Sequence, residues 1–557
     1  MTATPVHQFA DHAWLEFLEL NPVWATVQGI ETWDDQLGDP SAAGRSVLIA
    51  LVERWAAQID DLSRAELSVE DTVTLGLMRA VVLRLRGADE LRLWEFDALD
   101  QINGPQSLIG ELARFQRTDT PQRLENLFKR LAAYPAWMAA HRANVEEGLA
   151  SGRTAPAPVV KRCITQTREL LEVPAEASPL MTANAGLADE QRATLLSAIR
   201  EHVQPALSDW LAMLERYTAH VRAGDGVCHL SDGVAIYRHA IRSYTNLDED
   251  PKDIHDYGLQ RLDEIEAAEA SIATELSHET VAALRVFLDD DPQNHAETPA
   301  EMVALAEEWV LRAEVEAPKW FGNPPEEHCE VQAVESHAEK SAPAGFYYPP
   351  AEDGSRPGMY FLNTYEPSSR PLHQIVPMTF HEAVPGHHFQ LTTERHLHEL
   401  PAFRVHGALL ACGAYVEGWA LYSERLAAEM GLYLTPLERF GAWESEAHRA
   451  ARLVVDTGMH AFGWSRQRSI DVLIERAGLS QLEAEIETDR YLAWPGQALS
   501  YMMGQREILT LRARLEERDG DRFDHQAFHD QVIGHGSLPL DVLREQLPGW
   551  VTPKHTA

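Results

Sequence analysis

Apolar residues recur at helical spacing along most of the chain. Between positions 46 and 62 they fall at Leu48, Leu51, Val52, Trp55 and Ile59, one face of a helix with 3.6 residues per turn. Similar stripes run through 72–85, 122–149, 189–221, 254–276 and 299–315, and their default role is core packing. Loops such as Ala155-Pro156-Ala157-Pro158 and Asp289-Asp290-Asp291-Pro292 separate them. The texture changes near residue 328. Segments 328–334 and 358–363 are short and rich in strand formers, and 342–357 carries prolines with a Gly354-Ser355 turn signal, so a small β-element is predicted here. Met359-Tyr360-Phe361-Leu362-Asn363 is its clearest strand, and an edge strand at this place would be free to pair with an extended peptide. From Phe380 onward helical pattern returns over 407–430, 437–462 and 496–517. The expectation is a mainly α chain, with a helical region over 1–329 and a second region over 330–557, joined in one continuous body.

Composition narrows the function classes. Hydrophobic residues at 45% and charged residues at 24% are ordinary globular values. A formal charge of −38 opposes phosphate-backbone binding, which needs clustered Lys and Arg, so nucleic acid is not an expected partner. Cys163, Cys228, Cys329 and Cys412 are widely spaced and form no C-x-x-C pair, which indicates neither a zinc knuckle nor a disulfide framework. The start, Met1-Thr2-Ala3-Thr4-Pro5-Val6-His7, lacks the basic residues and apolar stretch of a signal peptide, and no apolar run has the length of a membrane span. The expected location is therefore the cytoplasm, with no membrane partner.

Candidate chemistry concentrates in one stretch. His373, His381, His387, His388, His396, His398 and His406 crowd together, and His381 is followed directly by Glu382. A zinc hydrolase needs two neutral imidazoles, usually a carboxylate, an open position for water, and a free carboxylate to take the water's proton. In H-E-x-x-H both histidines share one helical face, but here the position four residues on is Pro385. On an undisturbed helix His387 would point about 240° away from His381, and His388 would lie about 10 Å along the axis. Pro385-Gly386 offers a kink that swings His387 back, so His381 and His387 are the expected ligands, with His388 the lesser choice. Glu417 sits in an otherwise small and apolar helix, where an unpaired carboxylate is costly, and this supports ligation. Glu424 falls on the same face and suits holding a ligand, binding a substrate amine, or pairing with Arg425. No phosphate-binding loop and no nucleophile elbow is present.

His381-Glu382 with Pro385-Gly386-His387-His388 and Gln390, then Glu417-Gly418-Trp419-Ala420 with Tyr422 and Glu424, resembles the bacterial family called domain of unknown function 885. The resemblance extends from Pro22-Val23-Trp24-Ala25-Thr26 to Trp494-Pro495-Gly496-Gln497-Ala498. It implies a zincin-like, mostly helical metallopeptidase fold enclosing a channel, with a small β-element next to the active-site helix. It also implies that Glu417 matches the distal glutamate of gluzincins.

Two late helices supply further candidates. Arg452, Asp456 and His460 form a polar row on an apolar helix; His460 or Arg452 suits holding a substrate carbonyl or carboxylate, while Arg452-Asp456 also suits an internal ion pair and Asp456 suits orienting His460. Tyr501, one turn after Gln497, is the expected oxyanion donor, as in similar enzymes, with Tyr491 behind it. The functional expectation is a hydrolase of short peptides, of carboxypeptidase, dipeptidase or oligopeptidase type, using one zinc ion, or manganese or cobalt. Glu382 is its general base, His381, His387 and Glu417 its ligands, and Tyr501 and His460 its oxyanion donors. The competing readings are an inactive peptide-binding protein in which the insertion displaces the second ligand, and an amidase acting on small N-acyl amino acids.

Overall fold

The computed structural model describes residues 4–335, 339, 342–350 and 356–553. Helices form wherever the apolar stripe was continuous. Helix α1 (Ala42–Leu62) buries Leu51, Val52, Trp55 and Ile59, and Ser41 caps its start by accepting from the Gly44 amide. Helices α2 (Val69–Glu90), α3 (Pro121–Ser151) and α4 (Pro251–Glu275) follow, the last two opening on a proline whose missing N–H is harmless at that position. The stripe over 189–221 is broken by a π-turn at Ile199–Val203. One large cluster of buried side chains runs from Val6 to Val551, with Trp14, Trp55, Trp210 and Trp419 among its largest members, and a small second cluster joins Ile272, Ala273, Leu284, Leu288 and Phe440. No gap in the large cluster marks residue 330. Among the described residues, no helix is long and apolar enough to cross a membrane.

The β-element is a three-stranded sheet of β1 (Glu330–Ala333), β2 (Gly345–Tyr348) and β3 (Met359–Leu362), in the order β1-β3-β2. β3 runs parallel to β1, with Val331 opposite Tyr360, and antiparallel to β2, with Tyr347 opposite Tyr360. This corrects the expectation of Met359–Leu362 as an edge: it is the central strand, hydrogen-bonded on both sides. The extra strand lies within the proline-rich stretch, where Gly345-Phe346-Tyr347-Tyr348 is a short β-forming run between Pro343 and Pro349. The predicted Gly354-Ser355 turn lies outside the described residues.

The second half builds the scaffold of the candidate site. Helices α5 (Leu372–Glu382) and α6 (His387–Arg395) are separated by a short break; α7 (Gly413–Glu429) and α8 (Pro436–His460) pack against them, α9 (Gln481–Ala493) packs on α8, and α10 (Ser500–Asp519) packs on α7 and α8. Helices α7 and α10 meet backbone to backbone. A Cβ on Gly504 would lie 1.9 Å from the Ala414 carbonyl oxygen, and one on Gly418 would lie 2.4 Å from the Gly504 Cα. Only a glycine pair permits that approach, which brings Glu417 and Tyr501 to one place.

Candidate metal centre

The break between α5 and α6 decides which histidine faces His381. Helix α5 ends at Glu382 because Pro385 cannot continue it, and Ala383 leaves helical geometry with φ −98 and ψ −112. Gly386 then passes against the end of α5, where a Cβ would lie 1.9 Å from the His381 carbonyl oxygen. The turned chain restarts as α6 with His387 in its first position, so a bent backbone reaches what a straight helix could not. Helix α7 holds the break in place: Trp419 Nε1 donates to the Pro385 and Gly386 carbonyls at 3.0 and 3.2 Å, and Ser423 Oγ donates to Pro385 at 3.2 Å.

His381, Glu382 and His387 offer ligand atoms that all lie within 4.8 Å of one another. Glu417 is closer still to the imidazoles, with Oε2 3.5 Å from His381 Nε2 and 3.7 Å from His387 Nε2. These separations exceed a good N–H···O hydrogen bond. The first falls within, and the second just beyond, the edge of a tetrahedron with metal–ligand distances of roughly 2.0–2.2 Å, which is about 3.3–3.6 Å. Two imidazoles and one carboxylate therefore converge at ligand spacing, with Glu382 beside them as a second carboxylate. The donor set suits a borderline-soft divalent cation.

The surroundings orient these groups. His381 Nδ1 donates to Glu424 Oε1 at 2.8 Å, which turns Nε2 toward Glu417, and Arg449 Nη2 lies 3.7 Å from the same Glu424 oxygen. Glu424 thus holds a ring in place and does not pair with Arg425, whose guanidinium lies 3.9 Å from Glu446. His387 Nδ1 is buried and has no hydrogen-bond partner among the described residues. Burial opposes a charge on His381, but Glu417 and Glu424 outweigh it and raise the ring to about 9. Burial would also push the Glu417 carboxyl up, yet the two imidazoles hold it far below the usual carboxylate range.

The other candidates separate cleanly. His388 is turned away, with Tyr347 Oη 2.9 Å from Nδ1 and the Glu327 carbonyl 2.9 Å from Nε2. His373 is tied between Asn294 and Glu444, His396 pairs with Glu327, and His406 stacks on Trp14. Tyr501 does stand at the centre: its ring stacks on His381 at 6.4 Å, and burial together with Glu417 raises its hydroxyl, so it is a neutral donor. His460 corrects the expectation of a second oxyanion donor. Its Nδ1 accepts from the Val227 amide at 3.2 Å and its Nε2 donates to the Tyr491 carbonyl at 3.0 Å. Burial lowers it to about 3, so it stays neutral and fully engaged. Asp456 orients Tyr237 and the Gly496 amide, not His460, and Arg452 pairs with Glu487, not Asp456.

Sequence reasoning missed the clamp made by Trp419 and Ser423, although their spacing of four on one helix was a readable signal. It also missed Arg449, and the group formed by His448, Glu487 and Arg490 around Arg452, because those residues meet only when α8 and α9 pack.

The comparisons agree with this architecture. The family model described as "Bacterial protein of unknown function (DUF885)" matches residues 22–547. A crystal structure from Colwellia psychrerythraea, of a protein provisionally described as a lipoprotein, superposes with a TM-score of 0.87 at 25% identity, covering 98% of each chain. A second, from Shewanella oneidensis, described in the same terms and as of unknown function, shares the fold with a TM-score of 0.78 at 20% identity, covering 98% of this chain and 99% of that one. No curated protein was matched. With the family model spanning nearly the whole length, the chain belongs to the bacterial DUF885 family.

Proposed function

We propose that the protein is a metal-dependent hydrolase of peptide bonds in short peptides, built as a helical, zincin-like metallopeptidase of gluzincin type. The observation that carries this reading is the approach of one Glu417 oxygen to within 3.5 and 3.7 Å of two imidazole nitrogens, with Glu382 alongside. His381, His387 and Glu417 would hold the cation, zinc by preference, with manganese or cobalt as substitutes. When bound, the cation supplies Lewis acidity, polarising a carbonyl and acidifying water. Glu382 takes the attacking water's proton as oxygen adds to the scissile carbonyl carbon. It then delivers that proton to the departing amine as the C–N bond breaks. Tyr501 donates its hydroxyl hydrogen to the developing oxyanion. Glu424 and Arg449 fix His381 throughout.

The competing binding-protein reading requires a displaced second ligand, and the 3.7 Å separation of His387 from Glu417 weighs against it. The amidase reading keeps the same centre and changes only the substrate. On location, four cysteines without disulfides favour a reducing compartment, whereas the descriptions of the two structural neighbours favour a lipid-anchored one. Cell fractionation separates the two.

The testing experiment is metal content by mass spectrometry together with peptide-library cleavage, wild type beside Glu382→Gln. One metal per chain, with cleavage lost only in the variant, supports the hydrolase. Failure to bind any divalent metal after zinc loading overturns it.

A further inference from the structure

Beside the metal centre lies a group of arginines that the chemistry above does not use. Arg452 on α8 has its guanidinium carbon 4.4 Å from the Tyr501 ring centroid, and that ring stacks on His381 at 6.4 Å. His381, Tyr501 and Arg452 thus stand in sequence, leading from the centre into the protein. Arg452 Nε donates to Tyr491 Oη at 2.9 Å and Nη2 donates to Glu487 Oε2 at 3.0 Å. Its Nη1 is buried and has no hydrogen-bond partner among the described residues. The whole residue is only 7% exposed, so water does little to solvate that charge.

The local charge count does not close. Arg490 Nη2 also donates to Glu487, at 2.8 Å, and its Nη1 donates to Gln497 at 2.6 Å. Two guanidinium groups therefore share one carboxylate. His448, 3.5 Å from Glu487, adds no negative charge, and Arg449 is already directed to Glu424. One positive charge is left over beside Tyr501, in a chain whose formal charge is −38. A buried cation without a counter-charge is unfavourable, and a ligand carboxylate would complete the set. The row is not sealed at its ends, since the Glu417 and Glu487 side chains keep 25% and 20% of their surface exposed.

We propose that Arg452, supported by Arg490, anchors the free carboxylate at the C-terminal end of the substrate, so that the centre releases one or two residues from the C-terminus of a short peptide or N-acyl amino acid. The span decides the length of the leaving group. Two steps of 6.4 and 4.4 Å, from the His381 ring to Arg452, equal at most about three extended residues, and the ligand atoms at each end take up part of that. This orientation rests on the hydrolase reading, and it deepens it by selecting exopeptidase action over internal cleavage.

The test pairs binding with turnover. Calorimetry measures an N-acetyl amino acid and its C-terminal amide on metal-loaded wild type, Arg452→Gln and Arg452→Lys. The acid should bind wild type about 30-fold more tightly than the amide, the size of a lost charge-assisted contact. Arg452→Gln should reduce that preference to about 3-fold or less, and Arg452→Lys should recover part of it. Cleavage of an N-acyl dipeptide and its amide is then compared, with KM carrying most of the difference. Binding and cleavage that treat acid and amide alike overturn the anchor and leave the hydrolase standing. Acid-selective binding without cleavage of any substrate supports the anchor and overturns the hydrolase. Tight binding of an amidated peptide with an acidic side chain, at the expense of the free C-terminus, overturns the anchor as assigned. If Arg452→Gln does not fold, the acid-against-amide comparison on wild type decides alone.

Discussion

Two of the histidine–carboxylate groups in the second half of the molecule are built to opposite ends. At the break between α5 and α6, imidazole nitrogens and carboxylate oxygens face one another at 3.5 and 3.7 Å, too far for firm hydrogen bonds. Along α8, His460 and Asp456 reach their partners at ordinary distances: Val227 and Tyr491 for the ring, and Tyr237 and Gly496 for the carboxylate. The residue types are alike, but Glu417 keeps 25% of its side-chain surface exposed whereas Asp456 and His460 are fully buried. The two also differ in whether their polar atoms are already satisfied by ordinary hydrogen bonds.

That contrast is broken most severely by Glu382→Gln, which should keep the metal and lower turnover by about 10²–10⁴-fold, the worth of a general base, as measured by steady-state kinetics. His381→Ala or Glu417→Ala should abolish metal retention in dialysis followed by elemental analysis; full retention in either would falsify the ligand set. Gly386→Ala should also strip the metal, because its Cβ would collide with the His381 carbonyl and open the break. Next in size, Glu424→Gln should weaken metal affinity about 10–100-fold through loss of ring orientation, read by chelator competition.

Changes in the saturated group should leave the chemistry alone. His460→Ala orphans two buried backbone groups and should lower stability by about 2–4 kcal/mol in denaturant titration, while kcat/KM per folded molecule is unchanged. The smallest effect concerns Asp456. Burial raises its carboxyl to about 7, with Tyr237 and Gly496 only partly offsetting it. Between about pH 4, where an unfolded Asp titrates, and pH 7, the folded protein holds a proton that the unfolded chain has lost. Stability contributed at this site therefore falls as pH rises through that window. Asp456→Asn should flatten this part of the stability–pH curve, and an unchanged slope would reject the buried, protonated carboxyl.

His381-Glu382 and Glu417 were legible because they interrupt apolar helical pattern with charge that only a partner can justify. His387 was legible only through Pro385-Gly386, which says that a helix bends but not by how much. His460 was misread because periodicity assigns a residue to a face without naming what meets it, and its partners Val227 and Tyr491 come from other segments. The helical stripes were read nearly to their ends, since local spacing determines them. The central position of β3 was not, because β2 hides between prolines and strand order is set by long-range pairing.

The helix that brings Glu417 and Glu424 to the centre also carries Trp419 and Ser423, which grip the backbone of Pro385 and Gly386. Carboxylates and clamp therefore ride on one helix, and a shift of that helix moves both together. H-E-x-x-x-G-H and E-G-W-x-x-x-S-E are thus two halves of one physical unit, the first supplying the turned backbone and the second the side chains that hold it.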